Sequence, residues 1–157
     1  MTEPARDDRV DLAADRAAVH EVLVRYALGL DRRDYALVTS CFDPDAMCEY
    51  DGEPVRGHAE LLPYLQQRLN PLLSTHHYIT NVVIEIDGNR ATAECYAMAA
   101  LLRDTGSGVE AMLRGLRYAD VLRRDGAGWV ITERRHLPQW MVVLPAERLN
   151  EPEGAPG

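Results

Sequence analysis

The chain has 157 residues, a formal net charge of −8 and a hydrophobic content of 46%. That is ordinary for a soluble globular protein and large enough to bury a core around a ligand-sized pocket. The acidic balance weighs against nucleic-acid binding, which needs a basic face. All 17 basic residues are arginine, so a Schiff-base lysine mechanism is excluded.

Cys41, Cys48 and Cys95 form no Cys-x-x-Cys pair and read as buried, reduced thiols. No apolar run approaches the roughly 20 residues a membrane span needs, and the first residues are polar. The expected address is the cytoplasm.

Residues 1–10 read as a loose lead, 11–145 as one domain and 146–157, rich in Pro, Gly and Glu, as a flexible tail. A helix is expected over about 12–30, because Leu12, Val19, Val22, Leu23, Tyr26 and Leu30 recur at three- and four-residue steps. Gly29 sits where a last turn loosens. Asp34 is the natural cap of a short helix over 35–42, which Asp43-Pro44-Asp45 stops. One short strand, 46–50, precedes the turn Asp51-Gly52. A third helix starts near Gly57 and ends at Asn70-Pro71, with Pro63 tolerable if it falls in the first turn.

The remainder is β in pattern, with strands over about 75–86, 90–103, 111–124 and 129–140. Asp87-Gly88-Asn89 and Asp125-Gly126-Ala127-Gly128 read as hairpin turns. The plan is α+β: a strongly curved, mainly antiparallel sheet wrapped by three N-terminal helices. Strands this long must twist and curl, and helices packed in the concave face leave a cone-shaped cavity.

The first long strand carries Thr75-His76-His77-Tyr78-Ile79-Thr80-Asn81. By alternation His77, Ile79, Asn81 and Val83 share one face, and His76 points to the other unless a bulge exchanges the two histidines. Polar groups on an otherwise apolar strand face are either satisfied structurally or line a cavity.

Several pieces occur in a telling order: Arg25-Tyr26, Leu30-Asp31-Arg32-Arg33-Asp34, Cys41-Phe42-Asp43-Pro44-Asp45-Ala46, Gly57, Thr75-x-His77-x3-Asn81, Asp87-Gly88 and Gly128-Trp129-x-Ile131. Together they resemble the SnoaL-like branch of the nuclear transport factor 2-like superfamily, over roughly residues 11–142. The resemblance implies a curved sheet wrapped by three helices, in homodimers or homotrimers. It also implies a cofactor-free site for a hydrophobic, cyclic small molecule. In dehydratases and dehydrochlorinases of the branch an Asp after the first helix pairs with a His that acts as base. Asp31 and His77 stand at those positions, and Tyr26 matches a Tyr used by bile-acid dehydratases. Polyketide or terpenoid cyclases and non-catalytic binding modules share the fold, so these alternatives stand beside the lyase or isomerase reading.

An imidazole held by a buried carboxylate through one nitrogen keeps the other free to take a proton, which is the chemistry expected of His77 and Asp31. Tyr26 lies on the apolar stripe of its helix, and its hydroxyl needs either a substrate oxygen or a main-chain partner. Asn81 is expected to orient a polar substrate group or to satisfy a bulge. Tyr50 and Tyr96 could present hydroxyls to a substrate, and Trp129 fits a core or pocket wall. Arg117, Arg134, Arg135 and His136 sit on strands with one face toward the pocket. Arg124 lies beside a hairpin, where a solvated charge is the ordinary outcome. No zinc spacing, dinucleotide fingerprint or Gly-x-Ser-x-Gly elbow is present.

Overall fold

A computed structural model describes residues 8–126 and 128–149, with side chains from Leu12 onward. Helix α1 spans Asp8–Arg32 and α2 spans Tyr35–Ser40. The apolar stripe of α1 is buried as its spacing requires, with Val19, Val22, Leu23, Tyr26 and Leu30 at 3% exposure or less. Arg33 ends the helix in the left-handed region, at φ 56°. Its amide bonds Leu30 O at 3.2 Å, and the Asp34 amide bonds Gly29 O at 2.9 Å, a Schellman closure. Gly29 itself is helical. A methyl there would lie 2.7 Å from Val38 Cγ2, so it is close packing of α2 that calls for glycine. Asp34 caps α2 as expected, its Oδ1 accepting from the Leu37 amide at 2.9 Å.

Strand β1 spans Phe42–Tyr50, and a second strand that the sequence did not suggest, β2, spans Glu53–Arg56. Asp43-Pro44-Asp45 therefore does not stop a helix. It forms an irregularity early in β1, where the register against the last strand shifts between Phe42 and Met47. Asp51 and Gly52, both at positive φ, make the tight turn between β1 and β2. Helix α3 spans Gly57–Leu69, and Pro63 lies inside it, well past the first turn. The long strands follow as β3 (Ser74–Asp87), β4 (Arg90–Asp104), β5 (Val109–Asp125) and β6 (Gly128–Ala146). The expected lead and tail fall mainly on residues 1–7 and 150–157, outside the described residues, and α1 already begins at Asp8. Ala127 of the last hairpin also lies outside them.

The sheet is six-stranded in the order β2-β1-β6-β5-β4-β3. β1 runs parallel to β6 and every other neighbour is antiparallel. The sheet does not close on itself, and with the helices in its concave face the protein has the cone-like α+β architecture expected from the sequence. Strict alternation along β4 buries Ala91, Ala93, Cys95, Ala97, Ala99 and Leu101 on the inner face. Small side chains there leave space between β4 and the helices. All three cysteines are buried and unbridged. The outer face exposes Tyr78, Val83, Tyr96 and Met98.

In β3 the register slips between Thr80 and Val83, with Asn81 at φ 51°. The inward set is therefore Thr75, His77 and Ile79, then Val82, Ile84 and Ile86. The bulge moves Asn81 to the solvent side, which simple alternation could not anticipate.

Gly57 combines φ +61° with an absent side chain whose Cβ would lie 2.6 Å from Pro44 O. Gly57→Ala is expected to lower stability by about 2 kcal/mol or more. Urea denaturation checks this, and an unchanged midpoint would show that the β1 irregularity yields instead.

Candidate active site

Asp31 occupies the last turn of α1, an unfavourable place for a negative charge because the helix dipole is negative there. Its position is explained by what it meets across the gap. β3 is the sheet edge, and Asp31 Oδ2 accepts the His77 backbone amide at 2.9 Å. Asp31 Oδ1 accepts from His77 Nδ1 at 2.6 Å and from Thr75 Oγ1 at 2.9 Å. Burial acts to raise the Asp31 pKa, but the His77 and Thr75 donors outweigh it and hold the carboxyl below its ordinary value. A carboxylate so placed fixes the proton on His77 Nδ1 and leaves Nε2 as the basic nitrogen. The His77 side chain is 8% exposed.

His77 lines a cavity of about 500 Å³ between the helices and the concave face of the sheet. Its walls near His77 are apolar: Leu30 of α1, Leu65 and Leu69 of α3, Leu72, and Ala99 and Leu101 of β4. Deeper in, the hydroxyls of Tyr26 and Tyr50 lie 3.1 Å apart. Burial pushes both phenols above their ordinary range, so both remain protonated near neutral pH. Tyr26 packs edge-on against Phe42 and Tyr118, and the guanidinium of Arg134 stacks 4.1 Å from its ring centre. Arg134 is fully buried and pairs with Asp120 through two bonds of 2.8 and 2.6 Å. The tyrosines thus sit above a desolvated charge pair that fixes their rings.

The opposite wall is more polar. Asp51 Oδ1 accepts from Arg114 at 3.1 Å, and His136 Nδ1 lies 3.1 Å from the same oxygen, poorly aligned for a hydrogen bond. Burial pulls His136 down from 6.5 to about 4, against the attraction of Asp51, so at neutral pH it is an uncharged imidazole. Trp140 closes this side. Its indole lies on Gly115, where a methyl would collide with it, and a register slip beside Leu116 lets Pro138, Gln139, Trp140 and Met141 all reach the cavity.

Of the residues named from sequence, His77, Asp31, Tyr26 and Tyr50 come together around this space. Three do not. Asn81 is carried outward by the β3 bulge and is exposed. Tyr96 has the parity opposite to Cys95 and Ala97, and is 48% exposed on the outer face. Trp129 is buried at the far end of α1, where its Nε1 donates to Asp15 Oδ1 at 3.2 Å. Arg124 is no solvated charge: it grips Asp15 with two bonds of 2.9 and 2.7 Å and stacks on Trp129. His76 is exposed, Arg117 pairs with Glu94 on the outer face and Arg135 is exposed, whereas His136 reaches the cavity.

Residues 11–135 match the SnoaL-like domain family. The chain belongs to this family. A mycobacterial relative, the uncharacterized protein Rv2910c of Mycobacterium tuberculosis (strain ATCC 25618 / H37Rv), is 26% identical over 125 residues, covering 77% of this chain and 83% of that one. Among solved structures, a type 2 hexachlorocyclohexane dehydrochlorinase (LinA) superposes with a TM-score of 0.79 at 21% identity, over 94% of this chain and 99% of the other. A protein of Novosphingobium aromaticivorans DSM 12444 provisionally named a scytalone dehydratase gives 0.75 at 17% identity, over 96% and 100%. At such identities the likeness is one of fold.

Within this SnoaL-like domain, sequence reasoning missed the hydroxyl of Thr75, the guanidinium of Arg33 behind it, and the Asp51 and Arg114 that join His136 in the opposite wall. Thr75 shares the parity of His77 and was legible in principle. The wall was not, because it joins a turn to two strands distant in sequence. Among the described residues no group of three or more His, Cys, Asp or Glu side chains is placed to hold a metal ion.

Because the folded state holds His136 at about 4, the unfolded chain takes up this proton first as pH falls. The contribution to stability is complete above about 6.5 and declines toward pH 4. Urea denaturation at pH 7 and pH 5 should show a smaller acid loss in His136→Gln than in wild type. Equal losses would refute the assignment.

Proposed function

We propose that this SnoaL-like protein is a cofactor-independent lyase or isomerase acting on a hydrophobic cyclic small molecule. The observation that carries the reading is the 2.6 Å contact between Asp31 and the Nδ1 of His77, a residue that lines a largely apolar cavity of about 500 Å³. His77 Nε2 takes a proton from a substrate carbon beside a carbonyl or a leaving group. Asp31 stabilises the imidazolium that results, and Tyr26, kept protonated by burial, donates to a substrate oxygen. In a dehydration the C–H electron pair becomes the new C=C bond. The departing hydroxyl leaves as water, taking back the proton His77 removed. Positioned proton transfer of this kind is worth about 10²–10⁴-fold in rate.

The family membership and the fold shared with a dehydrochlorinase support the reaction class. A non-catalytic module of the same fold would be expected to separate the acid from the imidazole and to fill its cavity with side chains. The 2.6 Å contact and the cavity of about 500 Å³ favour the enzyme over such a module.

The test is elimination from cyclic β-hydroxy ketones in deuterium oxide, followed by enone absorbance and by NMR for deuterium at the α-carbon. His77→Ala and Asp31→Asn should each lower turnover by about 10²-fold or more while both proteins stay folded by circular dichroism, Asp31→Asn with a lowered urea midpoint because it weakens the bonds between α1 and β3. Turnover that persists in a folded His77→Ala protein would remove the base from this reading.

A further inference from the structure

Arg33 follows Asp31 by two residues, yet its side chain returns beneath the site. Nη1 donates to Leu30 O at 2.6 Å and to Thr75 Oγ1 at 2.9 Å, and Nη2 donates to Leu69 O at 2.9 Å. These bonds tie the ends of α1 and α3 to the first residues of β3. They also account for a non-glycine residue held at φ 56°.

The bond to Thr75 has a chemical consequence. Because Thr75 Oγ1 accepts from Arg33, its own hydrogen is directed to Asp31 Oδ1, 2.9 Å away. Thr75 is 3% exposed, so water does not compete for that hydrogen. Asp31 then receives three donors: the Thr75 hydroxyl, the His77 ring and the His77 amide. A carboxylate whose lone pairs are shared in this way, with a guanidinium behind it, pulls less strongly on the imidazole proton.

We propose that Arg33 and Thr75 are positioning residues that temper the Asp31 carboxylate and so set how strongly it holds the proton on the His77 imidazole. This rests on the reading of His77 as the base. The other charged and titratable groups facing the assembly come from several elements. Across the cavity stand Tyr64 and Arg68 of α3, Tyr50 of β1, Asp51 of the β1–β2 turn, Arg114 and Tyr118 of β5 and His136 of β6, with Tyr26 of α1. On the outer side of Asp31 lie Arg32, His76, Glu147 and Arg148. β4 presents Ala99 and Leu101. Asp31 itself bonds Thr75 and His77, and Thr75 in turn accepts from Arg33.

A role confined to holding Asp31 in place makes the opposite prediction. If Thr75 did no more than that, its loss would loosen the acid–imidazole contact and make His77 easier to deprotonate. If it tempers the carboxylate, its loss makes His77 harder to deprotonate. The experiment is an NMR pH titration of the imidazole Cε1–H resonances in the full chain, with the His77 signal assigned by its loss in His77→Ala.

Thr75→Val should raise the His77 midpoint by about half a pH unit or more, and Thr75→Ser should restore the wild-type value to within about 0.2 units. Arg33→Met should shift it in the same direction as Thr75→Val. If that variant fails to fold for want of its two helix-end bonds, the Thr75 pair decides alone. Asp31→Asn should lower the midpoint. A midpoint unchanged or lowered in Thr75→Val, with Asp31→Asn still lowering it, overturns the role of Thr75 and Arg33 and leaves the acid–base pair standing. An Asp31→Asn protein that titrates like wild type overturns the pair itself.

Discussion

A carboxylate at the wrong end of a helix, docked on the open edge of a sheet, organises this molecule. Asp31 stands where the α1 dipole disfavours it, and β3 is an edge strand whose outward amides need partners. The two liabilities cancel: one oxygen of Asp31 takes the His77 amide and the other takes the Thr75 hydroxyl and the His77 ring. The contact fastens the first helix to the first long strand and orients the imidazole in a single step. The position of Asp31 is thus set by tertiary partners and not by its own helix.

The cavity depends on a second arrangement, set deeper. Arg134 and Asp120 are fully buried, and a pair so desolvated is weak evidence of stabilisation in itself. Its effect here is on geometry. The guanidinium lies against Tyr26, Tyr118 and Phe42, and this stack holds the Tyr26 hydroxyl toward that of Tyr50. Removing either ion would leave a buried charge uncompensated beneath the rings. The walls near His77 are Leu and Ala, so polar chemistry at that end is confined to a few fixed groups in a low-dielectric space, where electrostatic contacts act most strongly.

The remaining polar wall differs in kind from the Asp31 side. His136 is uncharged by burial, and Asp51 already shares an oxygen with Arg114. One end of the cavity therefore holds a tightly bonded acid–imidazole pair, and the other an imidazole with a poorly aligned neighbour. The two ends of the space thus present a carboxylate-bonded imidazole and a neutral polar surface.

Much of this was written in local sequence. The three- and four-residue spacing of α1, the Asp34 cap, the Gly57 start of α3 and the alternation of β4 each depend on neighbours within a few residues, and all appear as expected. Asp31, His77 and Tyr26 were legible because their motif order carried a family resemblance. Other features needed the folded chain. The β3 bulge at Asn81 reverses the facing of every residue after it, and no period-two pattern contains that information. Tyr96 was misplaced because alternation alone does not say which face of the strand meets the helices, and Trp129 proved to be core and not pocket wall. Arg33, Thr75, Asp51, Arg114 and His136 acquire their roles from partners far away in sequence. Local periodicity decided which elements form, and the packing of those elements decided which polar groups meet, because hydrogen bonds across the cavity join segments that only tertiary structure brings within about 3 Å.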